Sequence, residues 1–123
     1  MKFRKMLYVQ VFENLFQVRD IDKLQSFQKS ATPPFSHPRM LVGDFAAAVT
    51  CLKSVISEAL GSSIFLTRPW VLIHPKEKTE SGLSPVEERV FLELAQSAGA
   101  AKVMVWVGPT LTDSEVTARL NQK

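Results

Sequence analysis

The first part of the chain carries its apolar residues in short β-branched and aromatic clusters. Met6 to Phe12 (MLYVQVF) reads as a strand, and Leu15 to Asp20 (LFQVRD) reads as a second. Only Glu13-Asn14 separates them, and Asn tolerates positive φ, so the spacing predicts a tight hairpin. Between Ile21 and Ala31 the pattern is weaker. It is read as a third strand near residues 23–28, with a short helix as the alternative. Thr32 to Pro38 (TPPFSHP) predicts an extended, surface-lying connector, because proline excludes the helical region for the residue before it.

From Asp44 onward the period lengthens. Phe45, Ala48, Val49, Leu52, Val55, Ile56, Ala59 and Leu60 recur at helical spacing, with Asp44 as cap and Gly61 as stop. Pro69 to His74 (PWVLIH) is a continuous apolar run, the signature of a central strand covered on both faces. After the charged loop Lys76–Ser81 (KEKTES), Ser84 opens a second helix. Its expected inner face is Val86, Val90, Phe91, Leu94, Ala95 and Ala98, and Gly99 ends it. Lys102 to Val107 (KVMVWV) reads as a further strand, broken by Gly108-Pro109. Thr112 and Glu115 have capping-box spacing for a last helix, Asp113 to Leu120.

The expected order is therefore β-β-β-α-β-α-β-α. The opening hairpin is antiparallel, and helices between the later strands imply right-handed crossovers and parallel pairing. These elements predict one α/β domain over residues 1–123, a five-stranded mixed sheet with helices packed on it. No internal repeat or low-complexity stretch is present.

Composition narrows the classes. The chain has 123 residues, 46% hydrophobic and 22% charged, ordinary for a globular fold. The net charge of +3 is mild, and no cluster of Lys and Arg with interleaved aromatics appears, so nucleic acid is not an expected partner. The lone Cys51 excludes an intrachain disulfide and fits a reducing compartment, so a cytoplasmic location is expected. It is expected as a small apolar helix residue rather than a nucleophile. No apolar run is long enough to span a membrane.

Three stretches carry a family resemblance: HPRMLVGDFAAAVTCLKSVI, RPWVLIHP and GLSPVEERVFLELAQSAGAAKVMVW. Its most specific parts are the Asp-Phe pair opening the helix within Val42–Ile56, and the spacing of Val86, Glu87, Arg89, Glu93, Ala95, Ala98, Gly99 and Ala100. From about Pro38 to Pro109 the sequence resembles the bacterial actin homologues of the MreB, or rod shape-determining, family. The resemblance implies a ribonuclease H-like, actin-like half domain. It also implies that Glu87 would orient the water attacking a terminal phosphate, which is plausible chemistry for a carboxylate. Such chemistry further needs a glycine-bearing phosphate loop between the first two strands and an acid that helps place Mg²⁺. Gln10-Val11-Phe12-Glu13 stands there instead, with no glycine before Gly43 and an aromatic ring where phosphate would approach. The second phosphate loop and adenine pocket belong to the half of the family fold that this chain, ending at Lys123, is expected to lack. ATP and Mg²⁺ are accordingly not expected as cofactors.

Each remaining candidate has a plainer structural reading. Ser84-x-x-Glu87, with Pro85 at the first helical position, is a capping box before it is a catalytic acid. His74, at the C-terminal end of a central strand, lies where open α/β sheets bind ligands, and with Gly108 it marks a candidate ligand edge; otherwise it simply ends the strand. Only His37 could join it as a histidine ligand, and no metal site is expected. By the family resemblance, Lys2, Phe3, Arg4, Lys5 and Met6 would touch the inner membrane weakly; otherwise they lead into the first strand. The expected function is a non-catalytic interaction module, acting as a homo-oligomer or on an actin-like filament or a cell-shape or envelope-assembly protein. The alternatives are a partial ATPase completed by another chain through Glu87, and a small-ligand sensor at the strand ends near His74.

Overall fold

The computed structural model describes residues 5–61, 68–80 and 82–122. Three strands come first: β1 (Met6–Phe12), β2 (Leu15–Asp20) and β3 (Gln25–Ser30). Then follow α1 (Phe45–Leu60), β4 (Trp70–Pro75), α2 (Pro85–Ser97), β5 (Lys102–Val105) and α3 (Asp113–Leu120). The sheet order is β3-β2-β1-β4-β5. β1 pairs antiparallel with β2, and β2 with β3, whereas β4 runs parallel to both β1 and β5. The fold is thus α/β, a five-stranded mixed sheet with helices packed on it. The third strand lies two residues later than its pattern suggested, β4 extends one residue further to Pro75, and β5 stops at Val105.

The period-2 alternation of a strand divides the core in two. Leu7, Val9 and Val11 of β1 and Val71 and Ile73 of β4 face the buried sides of α1 and α2. Tyr8 and Leu72 point the other way, onto Leu111 and onto Val116 and Leu120 of α3. Strands buried on both faces need continuous apolar runs, which is why β4 reads as one. Cys51 is buried within α1, as its helical spacing suggested.

Three side chains depart from their expected places. Phe35, in the connector read as surface-lying, is fully buried and stacks on Phe16 at 4.7 Å between centroids. The proline-rich segment runs over the surface but turns this one ring inward, where burying its apolar area outweighs the segment's polar character. Phe45 and Val86, each read as part of a helix's inner face, are 38% and 72% exposed. Both stand in the first turn of their helix, ahead of the first buried position, so helical spacing alone does not bury them.

Candidate functional site

β1 and β4 are parallel, with Val11 opposite Pro75, so their C-terminal ends lie side by side. This is the edge at which open α/β sheets hold ligands. The chain leaves β1 through Glu13-Asn14 and leaves β4 through 76–80, and the two loops are tied together. Lys76 N–H donates to Val11 O at 2.9 Å. Glu13 N–H donates to Glu77 Oε1 at 2.7 Å, and Lys78 Nζ donates to Glu13 Oε1 at 2.6 Å. That contact raises the Lys78 pKa. Asn14 takes φ 54°, the left-handed turn conformation expected of it. Its N–H donates to Ser36 Oγ at 2.9 Å, while its side-chain oxygen accepts from Phe35 N–H and Ser36 N–H at 2.9 and 2.7 Å. Both hairpin amides that could meet an anion therefore already have a partner within the chain, one of them a carboxylate. Ser36 Oγ in turn donates to Leu41 O at 2.6 Å, which anchors the 36–43 loop beside the hairpin.

Next to this edge a shallow apolar groove opens between that loop, the 77–79 loop and the start of α2. Met40, Leu83, Val86, Val90 and Phe91 line it, and Glu87 stands on its rim. Glu87 is engaged locally: its N–H donates to Ser84 Oγ at 3.2 Å, and its Oε1 accepts from Ser84 N–H at 2.9 Å. These two bonds complete the capping box, with Pro85 in the first turn.

No family model matches the chain. It is 29% identical over 126 residues to YjaA of Escherichia coli (strain K12), covering 95% of this chain and 98% of that protein. YjaA is described as an uncharacterized protein, so the similarity brings no activity with it.

The structure does bring His74 and Gly108 together. His74 Nε2 lies 3.0 Å from Gly108 O, and its Nδ1 lies 2.7 Å from the Tyr8 hydroxyl. A carbonyl oxygen can only accept, so Nε2 carries the proton and Nδ1 accepts from Tyr8. The Tyr8 oxygen accepts in turn from Leu111 N–H at 3.1 Å. The result is a closed chain of bonds that pins the 108–111 loop against β1 and β4. His74 is 1% exposed. Burial, with Lys76 nearby, pushes its pKa down to about 4, so it is neutral near pH 7. The same burial raises the Tyr8 pKa.

Lys5 and Met6 do not stand out as an amphipathic segment. Lys5 is 2% exposed, with Nζ donating to Asp20 Oδ2 at 2.7 Å, and Met6 opens β1. Lys5 is thus buried just ahead of β1, a correction to the membrane contact expected of it, and Met6 is half-buried as the strand's first residue; Lys2, Phe3 and Arg4 lie outside the described residues. His37 sits on the 36–43 loop, bridged to Met40 rather than joined to His74. Among the described residues no group of His, Cys, Asp and Glu side chains could hold a metal, and no helix is long and apolar enough to cross a membrane.

Sequence reasoning missed Tyr8, Ser36, Glu77 and Lys78. Tyr8 was hidden inside an apolar strand pattern. Glu77 and Lys78 read only as part of a charged loop. Their signal was topological: once β4 is laid parallel to β1, the residues just after each strand must meet.

Proposed function

We propose that this chain is a non-catalytic protein-interaction module on a ribonuclease H-like, actin-like half-domain architecture. The antiparallel hairpin followed by two parallel crossovers is the arrangement that the MreB-like resemblance implies. Architecture of that kind supports many functions, so the functional reading rests on the site. The observation that carries it is the hairpin edge. A phosphate cradle needs backbone N–H groups aimed at open space. Here the Glu13 amide is held by Glu77 and the Asn14 amide by Ser36, while the Lys78 ammonium is held by Glu13. Glu87, the residue the resemblance would make water-orienting, has its backbone N–H and one carboxylate oxygen committed to the helix cap.

The contact surface in this reading is the groove beside that edge, where Met40 and Val86 stand 43% and 72% exposed. Adjacent apolar exposure of this kind marks interaction sites on water-soluble domains. The partner class is an actin-like filament or a cell-shape or envelope-assembly protein, met on the cytoplasmic side. Co-sedimentation with a purified bacterial actin-like filament tests it: the wild-type chain should pellet with filaments, and Val86→Asp should not. Failure of the wild type to bind removes the interaction reading. Saturable heat on adding Mg-ATP would favour the partial ATPase instead. A ligand sensor at His74 and Gly108 is disfavoured by their mutual hydrogen bond, which closes that edge.

A further inference from the structure

The two edges of the sheet differ. β5 has four residues, whereas β3 has six and pairs with β2 through six consecutive positions without a bulge. Natural sheets guard long flat edges with proline, bulges or charges standing over the edge. β3 has no proline, and its one charge, Lys29, reaches back to Ser54 of α1, Nζ donating to Oγ at 2.6 Å.

The parity of the ladder fixes which backbone groups lie open. Ala31 N–H donates to Asn14 O at 2.8 Å, so that pair is hydrogen-bonded, and so are Phe16–Lys29 and Val18–Phe27 two and four steps along. Ser26, Gln28 and Ser30 therefore turn their N–H and C=O groups outward, and all three residues are exposed. No backbone partner for these outward groups occurs among the described residues.

We propose that β3 joins the β3 of a second copy, antiparallel about a two-fold axis at Gln28, to make one continuous sheet across both chains. Self-complementarity favours a second copy over an unrelated peptide. With Gln28 opposite the partner's Gln28, Ser26 meets the partner's Ser30, and both members of each pair offer outward amides. Phe27 then faces the aliphatic stem of the partner's Lys29. No like charges oppose one another, which an isologous interface requires. This pairing goes beyond the groove-based reading and does not depend on it, because β3 and the Met40–Val86 groove share no residues.

Sedimentation equilibrium on the full chain tests it, together with Gln28→Pro, which removes one outward N–H and leaves the β2–β3 ladder bonds in place. The wild type should show twice the monomer mass, and Gln28→Pro should return to monomer mass with its circular dichroism retained. Should Gln28→Pro fail to fold, cross-linking decides. In a Cys51→Ala background, Gln28→Cys should form a disulfide-linked dimer under mild oxidation far faster than Ser26→Cys, since only position 28 meets itself. A wild type that stays monomeric at its solubility limit overturns the proposal. So does a dimer that persists in folded Gln28→Pro, or equal cross-linking at positions 26 and 28. A Val86→Asp chain should dimerise as the wild type does, which separates this interface from the groove.

Discussion

The two faces of the sheet are held by different physics. Beneath α1 and α2 lies a broad apolar layer that joins Leu52, Val55, Phe91 and Leu94 with the inward residues of β1, β2 and β4. Beneath α3 five buried residues, Tyr8, Leu72, Leu111, Val116 and Leu120, are joined by the partly buried Met6, Ile21, Trp70, Met104 and Trp106. There the loop and helix are positioned by specific bonds, from the Leu111–Tyr8–His74–Gly108 chain and from Arg19, whose Nε and Nη2 donate to the Asp113 carboxylate at 2.8 and 3.0 Å. The α1–α2 face is held chiefly by buried apolar area, together with the buried Lys5–Asp20 ion pair on the same strand face as Leu7. The other adds to its apolar contacts the buried Tyr8–His74 chain, and such a chain stabilises only when every partner is present.

The sharpest way to break this contrast is to damage each face in turn. Leu52→Ala leaves a cavity in the broad core, and a loss of about 2–5 kcal/mol is expected, seen by denaturant melts as one global transition. Tyr8→Phe keeps the ring but strips His74 Nδ1 and Leu111 N–H of their buried partner. A loss of about 1–3 kcal/mol is expected. Unlike the Leu52 change, it should first accelerate hydrogen exchange across 108–120, with the α1 and α2 amides still protected.

Acid separates the faces without mutation. In the unfolded chain His74 takes up a proton near pH 6.5, and in the folded chain only near 4. Between those values the unfolded state binds more protons, so stability falls as pH falls. The contribution of neutral His74 is complete above about 6.5 and is gone below about 4. Replacing His74 by Gln should flatten the stability profile in that window, as followed by chemical denaturation at stepped pH.

A smaller effect should distinguish the helix caps. Thr112 and Ser84 each complete a capping box. Thr112→Ala and Ser84→Ala should each cost about 0.5–2 kcal/mol. The loss at Thr112 should be localised to α3, which at eight residues is shorter than α1 and α2.

Much of the broad face was legible in the sequence. Helical spacing marked α1 and α2, the apolar run marked β4, and Asp44, Ser84 and Thr112 announced the three helix starts. These signals are local, and local rules read them. The polar chain beneath α3 was not legible, because Tyr8 and His74 are 66 positions apart and meet only through the β1–β4 register. The Lys5–Asp20 pair was nearer to being readable. A two-residue turn at Glu13-Asn14 places Leu7 opposite Asp20, so Lys5 falls on the same strand face two positions away. Phe35 was misplaced because its proline-rich neighbours argued for surface, and only the position of Phe16 explains where its ring goes. At the hairpin edge, the absence of glycine was visible from the start. The carboxylate and hydroxyl that take up its amides were not, since they come from loops 64 and 22 positions away.

That edge is where the proposed function is most exposed to test. Nitrogen–proton correlation spectra of the labelled chain, titrated with Mg-ATP to millimolar concentration, report directly on the Glu13 and Asn14 amides. If Glu77 and Ser36 hold them, neither resonance should move. Saturable shifts at both amides, with Val86 and Met40 unaffected, would mean that the hairpin accepts phosphate and that Glu87 must be reconsidered as a water-orienting group.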